Sequence, residues 1–191
     1  SLGATGTTRV RAITLAANGG LYAAARDSTI GTGADLFGLI TPGGSASTLR
    51  QWANTVVGFS SEWTNDGSSW RAIQALGEPD TFSAGDLPTA WSPATNTSNP
   101  EYLHLGYATA VYATLIRVRE TYLGQFVTGI ELVEPDGTRH SIPIPPDGTV
   151  VPGYFEVSFP ATSYLVSSVV IHTAKSGYEE IDAVELVGMP A

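Results

Sequence analysis

The stretch FVTGIELVEPDGTRHSI, residues 126–142, decides the fold class of this chain. Ile130 and Leu132 lie two residues apart, so in an extended chain they project to the same face. Pro135-Asp136-Gly137 then predicts a turn, because proline presets its own backbone angle and glycine accepts conformations closed to other residues. Arg139–Ile142 follows as a second short strand. The stretch therefore predicts strand, turn and strand, with one buried face.

The same pattern recurs along the C-terminal part of the chain. Short apolar segments follow one another at intervals of about ten residues, with Gly and Pro between them, which is typical of an antiparallel β-sandwich. Alternation of period two is kept by Ile116, Val118, Ile130, Leu132, Val169, Ile171, Val184 and Leu186. Strands are predicted at Val56–Ser60, Tyr102–Tyr107, Val111–Thr121, Phe126–Val133, Arg139–Ile142, Tyr154–Phe159, Tyr164–Thr173 and Ile181–Val187.

One short helix is predicted over Ser68–Gly77. A serine can cap its start, Trp70, Ile73 and Leu76 share one face, and Gly77 suits the position just after the last turn. From Gly77 to Pro100 the chain is rich in Pro, Asp, Ser, Thr and Asn, which predicts a long ordered loop. Loops of this length in compact domains are usually functional or tied down.

Composition excludes several classes of function. The 191 residues carry 18 acidic and 9 basic side chains, a net charge of −9, and the basic ones are a single Lys and eight scattered Arg. Binding to a nucleic acid backbone needs clustered cations, so that class is set aside. Cysteine is absent, which excludes disulfides, zinc–thiolate sites and thiol chemistry. No segment is apolar enough for a membrane span, and no signal peptide is visible.

Residues 1–55 form a separate predicted unit, a small β-meander. Arg9–Ala16 and Leu21–Ala25 flank Asn18-Gly19-Gly20, which predicts a hairpin, and Asp35–Thr41 is a third strand. Ser47–Trp52 is either a further short strand or a turn. The pattern resembles one blade of a β-propeller, which is not stable alone, so this appendage packs on the rest of the chain or is a remnant of a larger protein. Residues 56–191 are the predicted sandwich.

Five segments carry a resemblance to a known family. They are Trp70-x-Ala72-x-x-Ala75-Leu76-Gly77-x-Pro79-Asp80, Gly85-Asp86-x-Pro88-x-Ala90-Trp91, Glu101-Tyr102-Leu103-x-Leu105-Gly106-Tyr107, Arg119-Glu120-Thr121-Tyr122, and Glu179-Glu180-Ile181-Asp182-Ala183-Val184-Glu185-Leu186-Val187-Gly188. In this order they resemble discoidin-like, galactose-binding-fold jelly-roll modules over about residues 58–188. Similar modules are the scarf-type domain of pappalysin-like metalloproteases and the N-terminal module of some F-box leucine-rich-repeat proteins.

The resemblance implies a jelly roll whose first and last strands lie together, and a binding function directed at glycans, proteins or membranes. It also implies, in many relatives, a structural calcium ion where the loop after the helix meets the last strand. Glu180 matches a ligand position of calcium-bearing relatives, directly before the first apolar residue of the last strand. Asp80 and Asp86 match the loop ligands less closely. Fold analogy alone does not name the ligand.

The acidic residues themselves fit two interpretations. Glu180 and Asp182 are two residues apart on a strand and share a face, and calcium is bound by six to eight oxygen atoms. Asp80, Asp86, Glu180 and Asp182 are therefore the predicted metal ligands. Alternatively, Asp commonly caps its own turn, and Glu180 accepts hydrogen bonds from loop N–H groups instead.

Aromatic side chains are the candidates for ligand contact, because they stack on sugar rings while Asn, Asp or Arg groups bond the hydroxyls. The predicted ligand-binding residues are Trp63, Asn65, Trp91, Arg119 and Tyr122. The alternative is that Trp91, like Trp70, belongs to the core. Arg119, with Arg117 on the opposite face from Glu120, is alternatively part of a solvated cross-strand pair.

Catalytic motifs are missing from the sequence. His104, His140 and His172 have no carboxylate and hydroxyl at a motif spacing, and His104 is predicted to face solvent because it alternates with Leu103 and Leu105. A glycosidase would need a carboxylate pair such as Asp80 and Glu180. The chain is therefore predicted not to be an enzyme.

Together these features predict a secreted or cell-surface binding module, carbohydrate-binding and calcium-stabilised. The alternative is a structural or adhesive subunit held by protein–protein contacts, in which residues 1–55 give strands to a neighbour or cap the sandwich. The expected partner is a glycan or a cell-surface protein, and a homo-oligomer is compatible with either hypothesis.

Overall fold

A computed structural model describes residues 9–15, 21–26, 35–40, 47–64, 66–94, 100–174 and 178–191. It divides the chain into two compact units, Ser1–Ala46 and Ser47–Ala191. The first unit contains the antiparallel strands β1 (Arg9–Leu15), β2 (Leu21–Arg26) and β3 (Asp35–Ile40), in the order β1-β2-β3. These are the three strands of the predicted meander.

The second unit is the sandwich. Its strands are β4 Leu49–Trp52, β5 Thr55–Phe59, β6 Glu101–Tyr122, β7 Val127–Val133, β8 Arg139–Ile142, β9 Gly153–Ser158, β10 Leu165–Thr173 and β11 Glu180–Pro190. All of their pairings are antiparallel. Within the described residues no helix is both long enough and apolar enough to cross a membrane.

Strand β6 joins the two layers of the sandwich. Its first half, from Glu101 to Tyr112, pairs with β10 and β5, and its second half, from Val111 to Tyr122, pairs with β11 and β9. One layer therefore has the order β5-β6-β10-β7-β8 and the other β4-β11-β6-β9. The sequence predicted two strands here. Ala108–Ala110 lie between the two predicted strands, where the pairing with β10 shifts register between Gly106 and Val111, but the chain stays extended and one strand of 22 residues results.

The core confirms the alternation pattern. All eight residues predicted to share buried faces are at most 2% exposed: Ile116, Val118, Ile130, Leu132, Val169, Ile171, Val184 and Leu186. Burial of a side chain of this kind stabilises the fold by about 1.5–3 kcal/mol relative to exposure. The antiparallel jelly-roll β-sandwich predicted from the sequence is thus the architecture of this unit.

The unit begins earlier than the predicted boundary between residues 55 and 56. Strand β4 lies inside the predicted appendage, yet it pairs with β11, and Gly188 stands opposite Leu49. The first and last strands of the sandwich therefore lie together, as the resemblance implied. This pairing, rather than the change in composition, places the start of the unit at Ser47.

The predicted helix is shorter than expected and buries a different face. It is one 3₁₀ turn, Ala72–Ala75, which buries both of those alanines and leaves Ile73 58% exposed. The backbone explains the late start, because Trp70 has a left-handed φ of +52° and Arg71 is extended with a ψ of 155°, so neither belongs to a right-handed helix. Trp70 and Leu76, which were predicted to share a helix face with Ile73, lie outside this turn.

His104 is also placed differently from the prediction. Its ring is buried rather than solvent-facing, and its Nε2 lies 2.9 Å from Ser168 Oγ on β10. Burial, together with the positive charge of Arg139, lowers the pKa of His104. The alternation correctly places His104 on the opposite face of the strand from Leu103 and Leu105. That face is also buried, so alternation alone did not predict solvent exposure.

Candidate functional site

The loop 77–91 lies against the start of β11, as the position of its prolines and carboxylates suggested. Trp91 and Ile181 exchange both backbone hydrogen bonds, with N···O distances of 2.8 and 2.9 Å, so the end of the loop continues the sheet as a single bridge. The loop is thereby fixed at the end of the sandwich where β6 finishes at Tyr122 and β11 begins.

Two buried carboxylates of β11 hold the middle of this loop. Glu180 accepts the N–H of Leu87 at 3.1–3.2 Å and the indole N–H of Trp70 at 2.9 Å. Two residues on, Asp182 accepts the N–H of Thr81 at 3.2–3.3 Å. Both side chains thus face the loop, as their spacing of two predicts. Their contacts correspond to the alternative interpretation, in which carboxylates organise loop N–H groups.

Each buried carboxylate has an exposed acidic neighbour. Burial raises the pKa of Glu180 to about 8, the bonds from Leu87 and Trp70 oppose the shift, and the adjacent Asp86 adds to it. Burial likewise raises the pKa of Asp182 to about 6, opposed by Thr81 and increased by Asp80. Near neutral pH these carboxyls hold part of a proton, which limits the repulsion inside each pair.

The four predicted calcium ligands therefore form two separate pairs, Asp80 with Asp182 and Asp86 with Glu180. The oxygens of the buried members already accept N–H groups. In the described part of the chain, the three carboxylates whose oxygens all lie within 4.8 Å of one another belong to other residues. The set Asp80, Asp86, Glu180 and Asp182 thus does not present the convergent ligands of one ion, and calcium binding there stays a prediction.

A pocket of about 260 Å³ opens beside the loop. It is lined by Trp63, Trp70, Asp86, Ser92, Tyr122 and Tyr178. The two indole rings meet edge to face, with centroids 4.8 Å apart and planes at 84°, a favoured geometry for aromatic pairs. Four aromatic side chains, one exposed carboxylate and one hydroxyl therefore face a single cavity.

The backbone holds Trp70 in an unusual conformation. Its φ is +52°, a left-handed value that few residues other than glycine adopt. Three contacts keep it there: its N–H donates to Pro88 O at 3.1 Å, its carbonyl accepts Ser92 N–H at 3.2 Å, and its indole donates to Glu180. A strained residue held by its surroundings is a feature of binding and active sites. The ring of Trp70 is thus fixed before any ligand arrives.

Of the predicted ligand-binding residues, Trp63 and Tyr122 line this pocket. Trp91 does not, because it is fully buried and its indole N–H donates to Ser61 O at 3.0 Å, so its prediction as a ligand contact was wrong. Arg119 is 9% exposed, donates to Thr81 O at 3.4 Å and lies over the ring of Tyr154, away from the pocket lining. Asn65 lies outside the described residues.

The sequence interpretation missed two aromatic lining residues and one polar one. Trp70 was assigned to the core, although its place in a loop that starts with the Asp66 turn could have indicated exposure. Tyr178 was only one of several aromatic candidates, and its position next to the paired glutamates before β11 is the signal that places it. Ser92 directly follows Trp91, whose bridge to β11 fixes the direction of the chain.

Comparison with protein families identifies the class of this chain. Residues 43–191 match the family described as "Pappalysin-1, SD scarf domain, C-terminal". The chain belongs to this family, which confirms the resemblance to scarf-type domains. A comparison with curated proteins found no match.

Among solved structures, the chain is similar to chitosan-binding module 1 of a chitosanase/glucanase from Paenibacillus sp. IK-5, with 15% identity, a TM-score of 0.48, and coverage of 71% of this chain and 96% of that one. It is similar to the family 32 CBM of C. perfringens NanJ in complex with galactose, with 15% identity, a TM-score of 0.48, and coverage of 73% and 93%. A third is CBM32-3 from a family 31 glycoside hydrolase of Clostridium perfringens, with 13% identity, a TM-score of 0.47, and coverage of 71% and 90%.

Proposed function

We propose that this module binds carbohydrate, without cleaving it, in the pocket formed by Trp63, Trp70, Tyr122 and Tyr178. The observation that carries the proposal is the convergence of four aromatic side chains with Asp86 and Ser92 on one small cavity. Sugar rings present apolar C–H faces and a rim of hydroxyls. Aromatic faces and a few polar groups are the complement of such a ligand.

The size and charge of the pocket narrow the ligand. Its volume of about 260 Å³ lies just below the range of roughly 300–1,000 Å³ for drug-sized ligands, which suits one sugar unit rather than a long chain. Asp86 is exposed in the lining, and the chain carries a net charge of −9. Both repel carboxylated or sulfated sugars. The proposed ligand is a neutral sugar whose hydroxyls donate to Asp86.

Rigid construction supports a binding role. Trp70 is held by three hydrogen bonds, and Trp63 is joined to the loop by its N–H, which donates to Ser92 O at 2.7 Å. Side chains fixed beforehand lose little conformational freedom when a ligand binds, which favours affinity. The same construction favours binding over hydrolysis. Asp86 and Glu180 lie within hydrogen-bond reach of each other, closer than the roughly 5–9.5 Å between the carboxyls of glycosidases.

A glycan array, followed by titration calorimetry with the best hit, tests the proposal. Trp63→Ala and Tyr122→Ala should each lower affinity by about tenfold or more, since removing a central aromatic contact commonly costs 2 kcal/mol or more. Phe82→Ala is the matched control. Phe82 is an aromatic residue of the loop 77–91, is 74% exposed, and lies outside the pocket lining. Its affinity should equal that of the wild type.

Two results would overturn carbohydrate binding: no hit on the array, or a hit whose affinity Trp63→Ala and Tyr122→Ala leave unchanged. An array without hits, together with a mass that increases with protein concentration, would favour the adhesive or structural subunit instead. A secreted or cell-surface location is part of the proposal, since the sequence resembles modules of secreted multidomain proteins. Fractionation of the producing cells with an antibody to the chain tests it.

A further inference from the structure

We propose that Glu120, Asp147 and Glu179 form a binding site for one divalent cation, with Ca²⁺ as the preferred ion. Glu120 lies near the end of β6, Asp147 lies in the segment between β8 and β9, and Glu179 directly precedes β11. One carboxylate oxygen of each lies within 4.8 Å of the others. The residues are separate from the predicted calcium set, and the inference does not depend on carbohydrate binding.

The two glutamates of this triad are buried with too few donors. Glu179 is 0% exposed and neither of its oxygens has an N–H or O–H donor; its carboxyl group lies within hydrogen-bond reach of Glu120, another acid. Glu120 is also 0% exposed; its Oε1 has no donor, its Oε2 accepts a long bond of 3.4 Å from Gln125 N–H, and the Thr149 and Asp147 side chains lie near its carboxyl group. Buried polar atoms in native proteins are nearly always bonded, so three orphaned carboxylate oxygens in one place need an explanation.

Within the described residues, no positively charged side chain forms an ion pair with these carboxylates. The ion pairs found there join other residues, and none includes Glu120, Asp147 or Glu179. Three acidic groups in a buried space repel one another and lose their hydration, a penalty of several kcal/mol for each ionised group. An ion bound between them would compensate both effects at once.

Asp147 shows that the site is built rather than accidental. Its Oδ2 accepts Val127 N–H at 3.1 Å, and its Oδ1 accepts both the N–H and the hydroxyl of Thr149, at 3.0 and 2.8 Å. These bonds orient its carboxylate beside the glutamates. Gly124 closes the site on another side, because a Cβ there would lie 2.7 Å from Glu120 Oε2 and 3.1 Å from Thr149 O. The Thr149 carbonyl therefore borders the same space as the Glu120 carboxylate.

The donor set selects the ion. Carboxylate and carbonyl oxygens are ligands of hard cations such as Ca²⁺ and Mg²⁺. Ca²⁺ takes six to eight oxygen ligands and is commonly bound by several protein carboxylates, whereas Mg²⁺ usually keeps several waters and uses one or two carboxylates. Three carboxylates gathered at one place thus suit Ca²⁺. Without an ion, burial raises the pKa of Glu120 to about 8 and that of Glu179 well above its usual value, so protons are the competing means of neutralisation.

Titration calorimetry of the whole chain, after EDTA treatment and dialysis, tests the site with CaCl₂ and MgCl₂ as separate ligands. The wild type should bind one Ca²⁺ per chain and bind Mg²⁺ more weakly. Glu179→Gln and Glu120→Gln should each lower Ca²⁺ affinity by about tenfold or more, because charge count sets affinity in such sites. Asp86→Asn, a substitution in the other acidic set, is the control and should leave Ca²⁺ affinity unchanged.

Melting curves of the same proteins guard against variants that merely misfold. Calcium at about 100 times the wild-type dissociation constant should raise the wild-type midpoint by roughly 5–10 °C, and that of Glu179→Gln by about half as much or less because its affinity is at least about tenfold lower. In EDTA, Glu179→Gln should melt above the wild type, since the amide removes a buried acidic group. Absence of Ca²⁺ binding at millimolar concentration, loss of binding in Asp86→Asn but not Glu179→Gln, or tighter binding of Mg²⁺ would each overturn the proposal.

Discussion

Replacing Glu180 by Ala tests the idea that β11 organises the aromatic pocket. Glu180 is 1% exposed and accepts two N–H groups, those of Leu87 and the Trp70 indole. Ala removes both acceptors without offering any replacement. Leu87 N–H and Trp70 Nε1–H would then be left unsatisfied at the end of the sandwich, and the loop 77–91 would lose its central attachment.

The size of the effect follows from these contacts. Each donor left without a partner in a buried place costs about 1–3 kcal/mol, so the pair costs about 2–6 kcal/mol. A domain of ordinary stability has only 5–15 kcal/mol in total, so the loss would be a large part of it. Glu180→Gln keeps one oxygen acceptor and removes the acidic group whose pKa burial raises to about 8. Its expected cost is below about 2 kcal/mol.

Urea denaturation at pH 7, followed by tryptophan fluorescence and far-UV circular dichroism, measures both variants. Glu78→Gln is the control, because Glu78 is an exposed carboxylate of the loop 77–91 that accepts none of these N–H groups, and its stability should lie within about 0.5 kcal/mol of the wild type. If Glu180→Ala were as stable as the wild type, the loop would not depend on this carboxylate. If Glu180→Gln were as damaged as Glu180→Ala, bulk rather than acceptor oxygens would be the cause.

Three further predictions concern the sandwich. Gly188→Ala places a Cβ 2.4 Å from Tyr112 O in the β6–β11 ladder, so the urea midpoint should fall by the equivalent of at least about 1–3 kcal/mol; an unchanged midpoint would contradict this close approach. Because burial lowers the pKa of His104, the unfolded chain binds its proton more readily, and stability is lost as the pH falls below the unfolded value near 6.5. His104→Gln should therefore lose less stability than the wild type between pH 7 and 5, by up to about 1.4 kcal/mol per unit, in melting curves at both pH values. Trp91→Ala should cost about 3–5 kcal/mol in urea denaturation, and equal stability would mean that Trp91 is not packed in the core.

The sandwich could be predicted because alternation and turns are local signals. Ile130 and Leu132 share a buried face, and Arg139–Ile142 is a strand with the bounds that its turn indicated. Such signals identify strands but not their ends or continuity. The 22 residues of β6 read as two strands, because pairing of its halves with different neighbours is a property of the tertiary structure.

The site was predictable in its parts rather than its arrangement. The order of motifs brought the loop 77–91 to the start of β11, and Trp63 and Tyr122 are in the pocket lining. Which tryptophan faces the ligand could not be read from residue type. Trp91 is buried by its bridge to Ile181, whereas Trp70 is turned outward by a left-handed backbone angle. Both causes depend on contacts between segments distant in sequence.

Burial of acidic groups shows a similar limit. Glu120 alternates with Arg119 and seemed to belong to a solvated strand face, yet it is fully buried. Its surroundings come from Gly124 and the segment around Thr149, which the sequence places about thirty residues away. A carboxylate covered by a distant loop leaves no local signature, and for this reason the triad with Asp147 and Glu179 was not anticipated.

The buried acids of this chain are neutralised in different ways, and the comparison sharpens the case for a cation. Glu185 is 3% exposed, but Arg50 and Arg117 bind it at 2.7 and 3.1 Å, so its charge is matched by the chain itself. Glu180 is matched by N–H donors from a loop that would otherwise lack acceptors. Each arrangement supplies the positive charge or the dipoles that a buried carboxylate requires.

Neither Glu120 nor Glu179 receives a matching positive charge, and the backbone N–H that Gln125 donates to Glu120 is 3.4 Å away. Only nine basic residues serve eighteen acidic ones, and the ion pairs of the described residues leave these two glutamates out. A fold that places matched donors around Glu185 and Glu180 is able to do the same for Glu179, or to place an apolar residue there at little cost. Keeping three carboxylates together without a matching positive charge makes physical sense when that charge comes from outside the chain. An ion bound between β6, β11 and the segment before β9 would then join these three parts of the chain next to the end of β6 that lines the proposed sugar pocket.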